Sequence, residues 1–203
     1  MLKKSHFVLL FSIVFCHHIF ANEGYKLWLQ YGYIKNESLR QHYLSSIEKL
    51  VPSGNSETIN IAQKELKRGL SSMLGAEFSL KDNANNIVIF GSKTNLPEDV
   101  LLQLGNAYNE INEEGYIIKS YSLRGKNHIV ISGNSDVGVL YGVYNFLKLL
   151  QTNKPLEKLN IKDSPKIKVR ILNHWDNLDR TVERGYSGFS IWDWHRLPDY
   201  LDP

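Results

Sequence analysis

The apolar positions along the chain change period several times, and each change predicts an element. "YKLWLQY" (25–31) alternates and is rich in aromatics, which predicts a strand. From Asn36 to Val51 the spacing becomes helical, with Leu39, Tyr43, Leu44, Ile47 and Leu50 on one face. "PSGNSE" punctuates it. A second stripe, Ile59, Ala62, Leu66, Leu70 and Met73, predicts a helix over 57–74, and Gly75 stands where a left-handed C-cap would. "NIVIFG" (86–91) is dense in β-branched residues and predicts a buried strand. "LPEDVLLQLG" predicts a short helix, because Pro97, Glu98 and Asp99 suit a first turn. "GYIIKSYSL" and "HIVISG" flank "RGKN" and predict a hairpin. Residues 135–151 return to helical spacing behind Ser135, a plausible N-cap. Gly138 and Gly142 share one face of that helix. Each glycine costs a helix about 1 kcal/mol against alanine, so the pair suggests close packing onto a sheet, with a tolerated pair as the alternative.

The predicted order is β-α-α-β-α-β-β-α. It implies an α+β domain over 22–165, an antiparallel-leaning sheet with helices packed on it. "TNKPLEKLNIKDSPKIK" (152–168) is polar, carries two prolines and reads as a linker-like crossing. "VRIL" (169–172) then begins a new strand.

The first 21 residues depart from this pattern. Lys3 and Lys4 precede the apolar run "FVLLFSIVF", and Ala21 offers a small residue before the polar "NEG". This is the layout of a secretory signal peptide and implies export to a periplasm or beyond the cell. The run is short for a membrane span, so stable insertion is not expected, although an uncleaved anchor is the alternative. Cys16, the only cysteine, lies in this leader. The remaining chain can hold neither a disulfide nor a thiol nucleophile, and its stability must come from its core.

Composition narrows the function classes. Hydrophobic residues make up 42% and charged residues 22%, ordinary values for a globular protein. The formal charge is +3, and the basic residues are scattered, so nucleic acid is not an expected partner. There is no G-x-G-x-x-G, phosphate loop or H-E-x-x-H. "GYSGFS" lacks the G-x-S-x-G frame of a nucleophile elbow. His174 and His195 do not have metal-ligand spacing, so a zinc site is not expected. Asn36-Glu37-Ser38 is a glycosylation sequon, a pattern that also arises by chance.

The exception is the stretch 173–203, "NHWDNLDRTVERGYSGFSIWDWHRLPDYLDP". It holds Trp175, Trp192 and Trp194 among several carboxylates. Sugar-binding clefts set aromatic faces against pyranose rings and use Asp, Asn, His and Arg for the hydroxyls. Trp175 has Asn173, His174, Asp176 and Asn177 around it, all just after the strand at 169–172. An α/β barrel places its site at such strand ends. The structural alternative makes Trp175 core and Asp176 the cap of a following helix. For Trp192 and Trp194 the core reading is the favoured one.

"RILNHWDNLDRTVERGYSGFSIWDWHRLPDYLDP" resembles the start of the catalytic domain of bacterial and fungal α-glucuronidases, glycoside hydrolases that act on xylan side chains. "EGYIIKS", "GVLYGVYNFLKLLQ" and "LWLQYGYI" resemble the N-terminal domain of the same family, which is similar in build to that of β-hexosaminidases. The resemblance implies an α+β N-terminal domain followed, from about residue 166, by the first strand and loop of a truncated (β/α)₈ barrel. It implies hydrolysis, with inversion and without a cofactor, of the α-1,2 link between 4-O-methyl-glucuronic acid and the terminal xylose of xylo-oligosaccharides. Glucuronoxylan-derived oligosaccharides are therefore the implied partners, and a homodimer through regions absent here is admitted. Trp175 would form a wall beside the uronic acid, and Asn173, His174, Asp176 and Asn177 would line the pocket or brace its first loop. No position here matches the catalytic carboxylates, which the resemblance places beyond Pro203. No catalytic residue is therefore expected in this chain, and the chain alone is expected to be inactive. The other reading is a secreted, non-catalytic carbohydrate-binding module using the Trp-rich segment.

Overall fold

A computed structural model describes residues 30–78, 85–123 and 125–171, with Asn177, Asp179 and His195. The leader, most of the strand expected over 25–31, and the three tryptophans of the C-terminal stretch lie outside the described residues. Gln30 and Tyr31, the last two residues of that expected strand, are not in a strand.

The described elements are α1 (Glu37–Ser46), β1 (Lys49–Ser53), α2 (Glu57–Leu74), β2 (Ile87–Ser92), α3 (Glu98–Leu104) running into a 3-10 segment (Gly105–Glu110), β3 (Tyr116–Leu123), β4 (Lys126–Gly133), α4 (Asp136–Gln151) and β5 (Asn160–Asp163). Most follow their sequence signals closely. Ser56 caps α2 by accepting from the Ile59 amide at 3.2 Å, and Gly75 ends it with φ +65°. The stripe Ile59, Ala62, Leu66, Leu70 and Met73 is fully buried. Each large side chain in it contributes about 1.5–3 kcal/mol by leaving water. Ser135 caps α4 through the Gly138 amide at 3.3 Å. Asp136 then accepts from the Ser56 hydroxyl at 2.6 Å, placing a carboxylate between the N-terminal ends of α2 and α4, where both helix dipoles favour negative charge.

Several expectations are corrected. The helical spacing of 36–51 does not stay helical: α1 stops at Ser46, Ile47 is extended, and Lys49–Ser53 becomes strand β1. Parallel pairing with β2 outweighs the continuing stripe, burying Leu50 from the sheet. Pro52 is tolerated because β1 is an edge strand with a single neighbour among the described residues. The supposed linker also contributes structure. Residues 160–163 form β5 and pair antiparallel with β3, while Leu156 and Leu159 are buried before it.

These additions change the sheet. Its order is β1-β2-β4-β3-β5, with β1–β2 and β2–β4 parallel and β4–β3 and β3–β5 antiparallel. It is an evenly mixed sheet with packed helices rather than an antiparallel-leaning one. The hairpin loop is also tighter than "RGKN", since Leu123 pairs directly with Lys126. The strand expected at 169–172 is not formed over its described part, 169–171, where Val169 and Ile171 are exposed.

One sheet face carries α2 and α4. Gly142 allows the close approach: a Cβ there would lie 2.7 Å from Ile131 Cγ2, and one on Gly138 would lie 2.2 Å from the Gly115 carbonyl oxygen. The other face carries α3 and the 3-10 segment, whose Val100, Leu104 and Tyr108 meet Ile89, Ile117 and Val130. Tyr108 closes this layer through a 2.8 Å hydrogen bond with Ser132. At one end of it the Tyr121 and His128 rings lie 5.4 Å apart. Burial, with Asp99 nearby, pushes the Tyr121 hydroxyl up to about 12. Burial, with Lys126 nearby, holds the His128 imidazole below its usual range, and its buried Nδ1 has no hydrogen-bond partner among the described residues.

Replacing Gly138 by alanine is expected to lower stability by about 1–3 kcal/mol through overpacking, even though alanine favours a helix. A urea-denaturation midpoint checks this. His128 binds its proton more weakly folded than unfolded, so its contribution is present above about pH 6.5 and is lost as pH falls below that. A His128→Gln variant is expected to show a flatter dependence of Tm on pH between about 6.5 and 5 than the parent.

Candidate functional site

Of the five residues marked as substrate-binding candidates, Trp175, Asn173, His174 and Asp176 lie outside the described residues. Asn177 is exposed and belongs to no helix or strand. Whether the five converge thus lies outside the described residues.

The described residues form a different site. At the end of the sheet where β2 and β4 begin and β3 finishes, a cavity of about 450 Å³ opens on the α2–α4 face. His42, Ser45 and Ser46 reach it from the last turns of α1. Asn86 comes from the residue before β2, Ser120 and Ser122 from β3, Asn127 and Ile129 from β4, and Leu156 and Glu157 from the segment after α4. Tyr121 and His128 border the cavity, but strand alternation turns their rings into the opposite layer.

The walls are held by specific bonds. Asn36 starts α1 by accepting from the Leu39 amide at 3.1 Å, so the helix delivers His42 and the two serines. Asn86 donates to the Ser45 carbonyl at 2.7 Å, tying the end of α1 to the start of β2. Glu48 accepts from the amides of Asn85 and Asn86 at 2.6 and 3.2 Å. On the opposite wall, the Tyr43 hydroxyl donates to the Lys154 carbonyl at 2.7 Å. Ser120 donates to the Leu156 carbonyl and accepts from the Leu159 amide, which fastens the segment after α4 to β3.

Across the mouth, His42 Nε2 meets the Glu157 carboxylate, and both side chains are about half exposed. Backbone hydrogen bonding, and then the contact with His42, holds Glu157 below the usual carboxylate range. Glu157 is the only acid among the described residues of the lining. Glycoside cleavage by the common routes needs two carboxyl groups flanking the bond, about 5–9.5 Å apart. The described lining offers hydroxyl, amide and carboxylate groups for binding.

None of these residues stood out in the sequence. His42 and Glu157 are 115 positions apart and belong to no motif. The serines and asparagines gain meaning only from the sheet that gathers them.

A second recess of about 350 Å³ lies between residues 112–114 and 165–170. Arg170 anchors it by bonding to Glu114, donating to the Tyr141 hydroxyl at 3.1 Å and covering the Tyr141 ring at 5.7 Å.

Comparison with known proteins places these features in a family. The model for the glycosyl hydrolase family 67 N-terminus matches residues 27–146, and that for the family 67 middle domain matches 149–203. A probable α-glucuronidase A of Aspergillus oryzae is 29% identical over 187 residues, which is 88% of this chain and 21% of that protein. Its counterpart in Neosartorya fischeri is 30% identical over 174 residues, 84% of this chain and 20% of that protein. The α-glucuronidase A of Aspergillus tubingensis is 27% identical over 177 residues, with 84% and 20% covered. The chain thus spans about a fifth of the length of these relatives. Among solved structures, a family GH115 4-O-methyl-α-glucuronidase with specificity for decorated arabinogalactans is 20% identical, with a TM-score of 0.39 over 51% of this chain and 13% of that one. Two successive family models, covering all but the first residues in the order expected of an N-terminus and a middle domain, settle the classification: this chain belongs to glycosyl hydrolase family 67.

Proposed function

We propose that this chain is the N-terminal portion of an exported α-glucuronidase. Its substrates are xylo-oligosaccharides, from which it hydrolyses α-1,2-linked glucuronic acid or the 4-O-methyl form. The observation that carries this reading is the succession of family 67 N-terminal and middle-domain matches along one chain. The α-glucuronidase names of the relatives support the choice of bond. Export rests on Lys3, Lys4 and the apolar run that follows.

Inversion at the anomeric carbon requires one carboxylic acid to protonate the departing xylose oxygen. A carboxylate on the other face of the sugar ring must activate water. In this proposal both groups lie outside the 203 residues. In the extended protein, residues from about 166 onward would begin the barrel, and 169–171, which are in no strand here, would join its first strand once neighbouring strands are present. Trp175 forms a wall against the uronic acid ring, and Asn173, His174, Asp176 and Asn177 line or brace that loop. The reading of the Trp-rich stretch as a non-catalytic binding module is not favoured, because the family model matching 149–203 is that of a hydrolase domain.

The purified 203-residue chain is expected to release no uronic acid from a glucuronosyl xylotriose, whereas a protein extended by the codons that follow in its gene is expected to do so. Turnover by the 203-residue chain would overturn the assignment of the carboxylates. In the extended protein, Trp175→Ala is expected to lower kcat/KM by roughly tenfold or more, equivalent to about 1.4 kcal/mol of transition-state binding.

A further inference from the structure

The cavity beneath α1 is kept open by its own composition. Ser45, Ser46, Ser120 and Ser122 stand where larger side chains would fill the space. The walls are bonded into place by Asn86, Tyr43 and Ser120, so the cavity is preformed and a ligand would not have to order it. Its volume of about 450 Å³ falls within the range of roughly 300–1,000 Å³ typical of small-molecule sites.

Its chemistry is that of a polyol partner. The Ser122 hydroxyl and the Asn127 side-chain amide are exposed and have no hydrogen-bond partner among the described residues. Glu157 bonds His42 through Oε1, leaving Oε2 able to accept from a hydroxyl. Among the described residues no lysine or arginine lines the cavity, and an acidic sugar would meet the Glu157 carboxylate there.

We propose that this cavity is a carbohydrate-binding site of the N-terminal domain that takes a neutral glycosyl unit, held by Ser122, Asn127 and Glu157. The choice of a sugar rests on the glycoside-hydrolase reading above. The site's role is to hold a neutral segment of an oligosaccharide, and no bond is made or broken in it.

Calorimetric titration of the 203-residue chain with xylotriose and, separately, with glucuronic acid tests this. Xylotriose is expected to bind saturably, and glucuronic acid more weakly. The double variant Ser122→Ala/Asn127→Ala is expected to lose at least tenfold in xylotriose affinity with Tm unchanged, since both side chains are exposed. Glu157→Gln should weaken binding in the same direction, and Trp175→Ala should leave it unaltered. The proposal is overturned if xylotriose does not saturate, if glucuronic acid binds more tightly, or if the loss follows Trp175→Ala and not the double variant. Binding is read here without turnover, so failure of this site would leave hydrolysis by the extended protein untouched, and the reverse also holds.

Discussion

Strand β4 is the constraint on which the rest of the domain depends. It takes the parallel ladder of β2 on one side and the antiparallel ladder of β3 on the other. Ile129 and Ile131 face the large helices, while Val130 and Ser132 face the smaller α3 layer. A one-residue slip would exchange these faces and send Ser132 into the apolar side. The two-residue connection to β3 and the tight seating of α4 over Ile131 both oppose such a slip. The polar cavity follows from the same register, because it places Ser122 opposite Asn127 and Ser120 opposite Ile129 at one end of the sheet.

The fold was legible in the sequence wherever local chemistry and tertiary packing agree. Helices α2 and α4 carry a serine cap, an apolar stripe and, for α2, a terminal glycine, and all are used as expected. The failures lie at the two sheet edges. β1 continues a helical stripe and contains Pro52, and β5 is the polar tetrapeptide Asn160–Asp163. Neither announces itself, because an edge strand has one ladder, is only partly buried and needs no strong pattern of its own. Missing both concealed the parallel pairing of β1 with β2 and made the sheet look more antiparallel than it is.

Site residues divide in the same manner. The Trp175 group was conspicuous because aromatics and amides cluster within five positions of sequence. The cavity was invisible because its lining comes from five separate segments, each unremarkable alone. What joins them is the order of strands, and that order was the part of the fold read least well. A binding surface assembled by topology cannot be recovered from residue types before the topology is known.

Pro52 has a consequence beyond its place in β1. The outer side of that strand is a row of main-chain groups with no neighbour in the sheet among the described residues. At Pro52 this segment offers no amide hydrogen, so a foreign strand laid along the edge could not complete a regular ladder. A residue that obscured the strand in the sequence thus also guards it, keeping the parallel edge of the sheet from recruiting other chains while the chain folds.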